Sequence, residues 1–277
     1  MLKKVKVTIL AENRVTDANL LAEQGQSILV ETDQGTILFD VGQTDAFIHN
    51  ARQMKVDLSK VNKVILSHGH YDHTGGLPAL CNAVKTIDVV CHPALINKKF
   101  RIYAEGRKEI GVPWEKKELE HAGAHFVFKT HAYEVLPDIW ISGEIPRNTA
   151  YEKIDETYQQ RVSESYIHDE IHDDMSLILV SERGLIVLLG CGHAGPINSI
   201  RHAMRITRTK SVHAVMGGMH LSNAPEDKIE HIVNNLYQIN PDILVPLHCT
   251  GFHAINRMFI KFAERVKLMN VGDSFEL

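Results

Sequence analysis

Three imidazoles and a carboxylate fall within six consecutive positions of the run Ser67-His68-Gly69-His70-Tyr71-Asp72-His73-Thr74-Gly75-Gly76. Imidazole nitrogen and carboxylate oxygen are the donors that borderline divalent cations such as zinc prefer. The run follows Val64, Ile65 and Leu66, so it begins where a short buried strand ends. Side chains of an extended chain repeat every second residue, so His68 and His70 point the same way and can share one ion. Asp72 and His73 fall beyond the turn and can face a second ion. Paired ions in hydrolases sit roughly 3.5–4 Å apart and clamp an attacking and a leaving oxygen. A histidine-rich surface loop is the rival reading, and so dense a set of donors after an apolar strand argues against it.

Other candidates stand in the same kind of setting. His193 lies in Gly190-Cys191-Gly192-His193-Ala194-Gly195, between the apolar run 185–189 and a helix. His248 follows the apolar run 243–247 and precedes Cys249-Thr250-Gly251. Loops at strand ends carry function on a rigid scaffold, so His193 reads as a metal ligand. His220 ends another strand and reads as a residue near the substrate, with a packing role as the rival. Asp40, in Phe39-Asp40-Val41-Gly42, suits the carboxylate that takes the second N–H of a metal-bound imidazole. Arg147 is a candidate anion clamp, because a guanidinium matches phosphate in a fork. An ion pair with Glu144 is its rival role. His168 and His172, beside Asp173 and Asp174, read as a polar loop, and Lys98-Lys99 and Lys116-Lys117 as solvated faces.

The elements that must position these residues are legible in outline. Residues 6–10, 27–31 and 36–40 alternate as strands, and Asp33-Gln34-Gly35 signals a hairpin between the last two. Residues 44–54 read as a helix, 63–67 as a strand, and a helix starts near Gly76. Residues 92–137 mix polar and aromatic segments. Residues 151–173 are polar enough for a solvated loop, with an active-site lid as the functional alternative. Strands at 176–181 and 185–189 precede a helix near 196–208, whose Ile197, Ile200 and Met204 form one stripe. A strand at 212–216 leads to a helix opened by Pro225-Glu226-Asp227, as helix N-termini favour. A strand at 243–245, a helix through Phe252, Ile255, Phe259 and Phe262, and a strand near 267–275 close the chain. Strands first and alternating strands and helices later suit two sheets packed inside two helical layers. The expected class is α/β (α+β by some schemes), as one domain over residues 1–277 with a less regular insertion around 92–173.

Taken together, the motifs resemble one family. His68-x-His70-x-Asp72-His73 is similar to the signature of the metallo-β-lactamase superfamily. Leu38-Phe39-Asp40-Val41-Gly42, Gly143-Glu144-Ile145-Pro146-Arg147, the Gly190–Gly195 loop, Gly217-Gly218-Met219-His220-Leu221 and His248-Cys249-Thr250-Gly251 narrow the likeness. They resemble the branch that includes the methanopterin-pathway dihydropterin ribofuranosyl-aminobenzene phosphate synthase, many of whose members are described only as metal-dependent hydrolases. The resemblance implies a four-layer αββα sandwich. It implies two divalent ions, zinc first, with manganese or iron as alternatives. The implied ligands are His68, His70, Asp72, His73, His193 and His248, with His248 on the ion held by Asp72 and His73. The chain departs from the family at Cys191, where most members place an aspartate that bridges the ions. A thiolate bridge, compensation by His193, one weakly bound ion and an inert buried cysteine all stay open.

The activity implied is a hydrolase that uses a metal-bound hydroxide on a small phosphate-containing or ester substrate. Asp72 would orient the nucleophile, and His220 or a metal-bound water would protonate the leaving group. One alternative is a transferase like the synthase, with the metals on a diphosphate leaving group. The other is a non-catalytic metal-binding or ligand-sensing protein. A redox di-iron site fits less well, because such members carry glutamate at the His70 position.

Composition narrows the partners. The chain has 277 residues, 44% of them apolar, which is ordinary for a packed core. A formal charge of −4 and a pI near 6.5 give no footprint for nucleic acid. The four cysteines show no Cys-x-x-Cys pair, which suits a reducing cytoplasmic setting. The apolar run after the basic start is too short for a signal peptide. No stretch approaches the roughly 20 apolar residues of a membrane helix. The expected partner is a small anionic substrate, without nucleic acid or membrane, and a homo-oligomer is left open.

Overall fold

Strands apolar on both faces set the architecture. Ile37 and Phe39 point one way and Leu38 the other, and all three are fully buried. A strand covered on both faces must lie inside a layered stack. The computed structural model describes residues 1–277. The first strands are β1 (Val5–Ala11), β2 (Ser27–Thr32), β3 (Gly35–Phe39), β4 (Lys63–Ile65), β5 (Ile87–Cys91), β6 (Lys99–Tyr103), β7 (Gly106–Glu109) and β8 (Ala124–Phe128). They are followed by β9 (Tyr133–Leu136), β10 (Ile139–Ile141), β11 (Tyr158–Val162), β12 (Ser165–His168), β13 (Ser176–Ser181), β14 (Gly184–Leu189), β15 (Val212–Gly217), β16 (Ile243–Pro246) and β17 (Ser274–Glu276). The helices are α1 (Ala46–Gln53), α2 (Tyr71–Thr74), α3 (Leu77–Ala83), α4 (Lys116–His121), α5 (Pro196–Thr207), α6 (Glu226–Ile239) and α7 (Phe252–Phe262).

Two sheets form the centre. One runs β17-β1-β2-β3-β4-β5-β8 and the other β16-β15-β14-β13-β10-β9. Between them lie Val7, Ile9, Ile28, Ile37, Phe39 and Ile65 against Leu177, Leu179, Ile186, Leu188, Met216 and Val245. On the outer face of the first sheet, Leu10, Leu38, Val64 and Leu66 meet Phe47 and Ile48 of α1 and Leu77 and Leu80 of α3. On the outer face of the second, Leu185, Val187, Leu189 and Val215 meet α5, α6 and α7 through Ile197, Ile200, Ile232, Leu236 and Met258. The layers are therefore helix, sheet, sheet, helix, as expected. No helix is long and apolar enough to cross a membrane.

The stretch 92–173 is more regular than its sequence suggests. The expected loop at 151–173 contains the hairpin β11–β12, which pairs with β6 and β7 in a third sheet of order β12-β11-β6-β7. β7 and β12 are exposed along their whole length, so no apolar alternation marks them. The expected helix near Gly76 begins earlier, as the single turn α2, and resumes as α3. A Cβ at Gly76 would stand 2.1 Å from the Val41 carbonyl oxygen, so only glycine fits between them. The closing strand shrinks to β17, and Val266 and Val271 make isolated bridges instead.

Candidate metal centre

The first motif is an extended segment followed by one helical turn. β4 ends at Ile65, Ser67 to His70 run on without helix, and α2 begins at Tyr71. Gly69 packs so tightly that a Cβ there would lie 2.1 Å from the Leu95 carbonyl oxygen. At the end of the neighbouring strand β3, Asp40 adopts a left-handed backbone, φ +59°. Its carboxylate accepts the Ser67 N–H at 2.7 Å and the Ser67 O–H at 2.8 Å. The same oxygen that takes the hydroxyl lies 2.7 Å from His73 Nδ1.

These bonds fix the tautomers. A carboxylate only accepts, so His73 carries its proton on Nδ1. The Ser67 hydroxyl has already given its one proton to Asp40, so at 2.9 Å it accepts from His68 Nδ1–H. Asn13 Oδ1 takes the Gly25 N–H and stands 2.8 Å from His248 Nδ1, which therefore donates as well. In each case Nε2 is left facing inward with its lone pair. His73 Nε2 and His248 Nε2 then stand 3.2 Å apart. Two lone pairs that close need a cation between them, either a proton or a metal ion. The electrostatics agree. Burial opposes charge on His248, but the Cys249 sulfur and the Asp72 carboxylate outweigh it and push the imidazole up to about 9. Burial likewise opposes charge on His73, and Asp40 and Asp72 raise it.

The donors form two adjoining triads, His68 with His70 and His193, and Asp72 with His73 and His248. Within each triad the donor atoms lie within 4.8 Å of one another. His68 Nε2 and His70 Nδ1 meet at 2.9 Å. Burial and neighbouring positive groups hold His68 and His193 well below the usual imidazole range and His70 at about 3, so all three are neutral donors at neutral pH. His193 Nε2 and His70 Nε2 are buried without a hydrogen-bond partner. Burial works against the ionised form of Asp72, but the charges of His73 and His248 hold its carboxyl well below the usual range. An imidazole and carboxylate set with unpartnered nitrogens fits a zinc-like ion. Cys191 Sγ lies 3.2 Å from His73 Nε2 and reaches His68 as well, so it stands between the triads. Cys249 closes a further group with Cys191 and His248.

A cavity of about 520 Å³ opens above these residues. Its floor includes His70, Asp72, Cys191, His193 and His248. Tyr158, from the third sheet, roofs it. The ring stacks on His70 with centroids 5.6 Å apart, and its hydroxyl stands 3.2 Å from His220 Nε2. His220, expected near the substrate, lines the cavity and lies 4.3 Å from the His193 ring, centroid to centroid.

Arg147 is not brought there. Its guanidinium donates to the carbonyls of His193 and Ile171 at 3.1 Å and to that of Glu170, which leaves no free fork for an anion. Glu144, its expected ion partner, pairs with His92 instead. Lys99, expected on a solvated face, is 1% exposed and bonds Asp169 at 2.9 Å and Asp173 at 2.8 Å. Tyr158, Asn13 and Glu12 touch the candidate donors His70 and His248, and the sequence did not single them out. The visible signal for Asp173 and Asp174 was an acid pair directly before the apolar strand β13, the mirror image of Asp40 after β3.

Comparison with known proteins agrees with the fold. A family model described as the metallo-beta-lactamase superfamily matches residues 20–155. A 7,8-dihydropterin-6-methyl-4-(beta-D-ribofuranosyl)-aminobenzene-5'-phosphate synthase of Methanocaldococcus jannaschii is 27% identical over 97% of this chain and 95% of its own. An uncharacterized protein of the same archaeon is 30% identical over 91% of this chain and 93% of its own. Among solved structures, Tm1679, a metal-dependent hydrolase of the beta-lactamase superfamily, superposes with a TM-score of 0.85 at 25% identity, covering 99% of both chains.

Proposed function

The chain belongs to the metallo-beta-lactamase superfamily, and from that premise we propose that it is a metal-dependent hydrolase of a small anionic ester, a phosphate ester foremost. The observation that carries the reading is the pair of inward-facing Nε2 atoms on His73 and His248, 3.2 Å apart with both outer nitrogens committed as donors. His68, His70 and His193 would hold one ion, and Asp72, His73 and His248 the other. Such ions supply Lewis acidity and activate water near neutral pH. The remaining work falls to the chain. Asp40, Ser67 and Asn13 keep protons on the outer nitrogens of His73, His68 and His248. Asp72, held ionised, orients the attacking water. Tyr158 covers His70 and limits solvent, and its hydroxyl orients His220 toward a leaving group. Arg101, Lys153 and Lys228 line the cavity and favour an anion. Glu152 lines it too, but its carboxylate is spent on the Ile197 and Asn198 amides at the start of α5.

The test is a panel of phosphomonoesters, phosphodiesters and carboxylic esters, assayed with protein whose zinc content has been measured. Turnover of one class, lost in His70→Ala, supports the reading. No turnover of any class at full metal occupancy overturns it. The likeness to the archaeal synthase over nearly all of both chains favours a second reading, transfer between a diphosphate-bearing pterin and an arylamine. Condensation of such a pair without ester hydrolysis would decide for that reading.

A further inference from the structure

Residues 169–175 cross from β12 to β13 directly beneath both loops that carry the His68, His70 and His193 triad, and none of their side chains belongs to either triad. Asp173 Oδ2 accepts the N–H of Gly69, the residue between His68 and His70, at 2.7 Å. Asp174 Oδ2 accepts the N–H of Ala194, the residue after His193, also at 2.7 Å. Met175 N–H donates to the Ser67 carbonyl at 2.9 Å. The two carboxylates follow a turn closed by the Asp174 N–H on the Ile171 carbonyl at 3.1 Å, and each reaches a different one of the two loops. Asp173 and Asp174 are 0% and 2% exposed, and buried carboxylates persist only when compensated. Lys99, from the third sheet, supplies the compensation at Asp173 Oδ1. The segment is held hard. Asp169 Oδ1 accepts the Ile171 N–H at 2.8 Å, and Arg147 donates to the Glu170 and Ile171 carbonyls. Ile171 itself is fully buried at φ +46°, a left-handed backbone that is an outlier for a β-branched residue. Strain of that kind survives only where the surroundings over-determine it, and it gathers at functional sites.

We propose that Asp173 and Asp174 are paired positioning residues that set the separation of the His68–His70 loop from the His193 loop, with Lys99 as the buried counter-ion that ties this clamp to the sheet roofing the cavity. The proposal rests on the reading that the His68, His70 and His193 triad holds an ion. A pair retained for stability alone has no reason to be charged, since apolar replacements of buried ion pairs are often neutral or stabilising.

The test is titration of the full chain with zinc and with cobalt(II) against a chelator of known affinity. Wild type, Asp173→Asn, Asp174→Asn, His68→Ala and His248→Ala are compared. Both asparagine variants should weaken the binding step that His68→Ala abolishes by about 10- to 100-fold and alter the cobalt d–d spectrum. The step lost in His248→Ala should keep its affinity. Melting without metal checks that each variant folds. Asp174→Asn is the safer of the two, because burial already pushes the Asp174 carboxyl up to about 6, and one of its oxygens is buried without a partner. Folded variants with wild-type affinity and an unchanged spectrum overturn the proposal. So does an equal loss at both steps, which marks a merely structural role. Metal binding that His68→Ala leaves untouched sinks the reading of the triad, and the proposal with it.

Discussion

Replacing Asp40 with asparagine is the sharpest probe of the centre, because three bonds converge on one buried carboxylate. The Ser67 N–H sits on Oδ1, while the Ser67 O–H and His73 Nδ1–H share Oδ2. A carboxamide of the same shape keeps one oxygen. With that oxygen toward the Ser67 amide, the NH₂ faces Ser67 Oγ and His73 Nδ1. The hydroxyl can turn to accept, but His73 can accept only by moving its proton to Nε2. That is the nitrogen 3.2 Å from both His248 Nε2 and Cys191 Sγ, where a ligand must be bare. With the amide flipped, its NH₂ opposes the Ser67 N–H, and a buried donor goes unpaired at a cost of about 1–3 kcal/mol. Losing the partner of a metal-bound imidazole typically costs about 10- to 100-fold in affinity, equal to roughly 1.4–2.7 kcal/mol. Asp40→Asn should therefore bind zinc that much more weakly by chelator competition. Without metal, it should melt lower by about 2–12 °C, at roughly 2–4 °C per kcal/mol for a chain of this size. A variant that matches wild type in both zinc affinity and melting temperature would refute the argument that Asp40 fixes the His73 tautomer.

Lys99→Met removes the cation between two buried carboxylates and should destabilise the chain by about 3–5 kcal/mol in urea unfolding at neutral pH. Burial opposes charge on Lys99, but Asp173 and Asp169 raise it, so its contribution holds below the ordinary lysine range and is lost only as pH rises through the raised folded value. Burial opposes charge on Asp173 too, but Lys99 lowers it, so that contribution holds above the ordinary carboxylate range and fades as pH falls through the lowered value. In Lys99→Met burial acts on Asp173 without its cation and raises it, so the gap should narrow as pH falls and the carboxyl takes up a proton, and widen toward higher pH; a gap that grows as pH falls contradicts this. Tyr158→Phe keeps the stack on His70 and loses the hydroxyl facing His220. It should lower kcat/KM by about 2- to 12-fold, the span of one neutral hydrogen bond. An unchanged kcat/KM would show that the hydroxyl does not orient His220.

Most of the layered fold was legible because its strands are buried on one or both faces, and burial writes a pattern into the sequence. Ile37, Leu38 and Phe39 announce a central strand, and the stripe of Ile197, Ile200 and Met204 announces a helix on a sheet. The clustering of the candidate donors was legible for a related reason. His68, His193 and His248 each follow an apolar strand, and strands of two packed sheets bring their ends to one edge. The third sheet wrote no such pattern, because β7 and β12 are exposed throughout. Lys99 looked like one of a pair of surface lysines, since its two carboxylate partners lie 70 and 74 residues away. Arg147 has the right chemistry for an anion, and only its three carbonyl partners show that the fork is already engaged. Tyr158 was hidden because an aromatic in a polar hairpin reads as solvated until the hairpin folds over a cavity.

Three residues around the candidate centre share a backbone feature. Asp40, His220 and His248 are left-handed, at φ +59°, +50° and +48°, and they follow the parallel strands β3, β15 and β16. A non-glycine residue in that conformation costs on the order of 1–3 kcal/mol. Glycine would relieve the strain at each position, but only by deleting a carboxylate or an imidazole. What holds His248 in place comes from the opposite sheet. Its amide donates to Glu12 Oε2 at 2.8 Å, and its ring Nδ1 to Asn13, two residues just past β1. Gln26 crosses the same gap to the Leu189 carbonyl at 2.9 Å. The two sheets are thus hydrogen-bonded together at the edge where the candidate donors meet. His220 shares that backbone and stands outside both triads, 4.3 Å from the His193 ring and with its Nε2 3.2 Å from the Tyr158 hydroxyl.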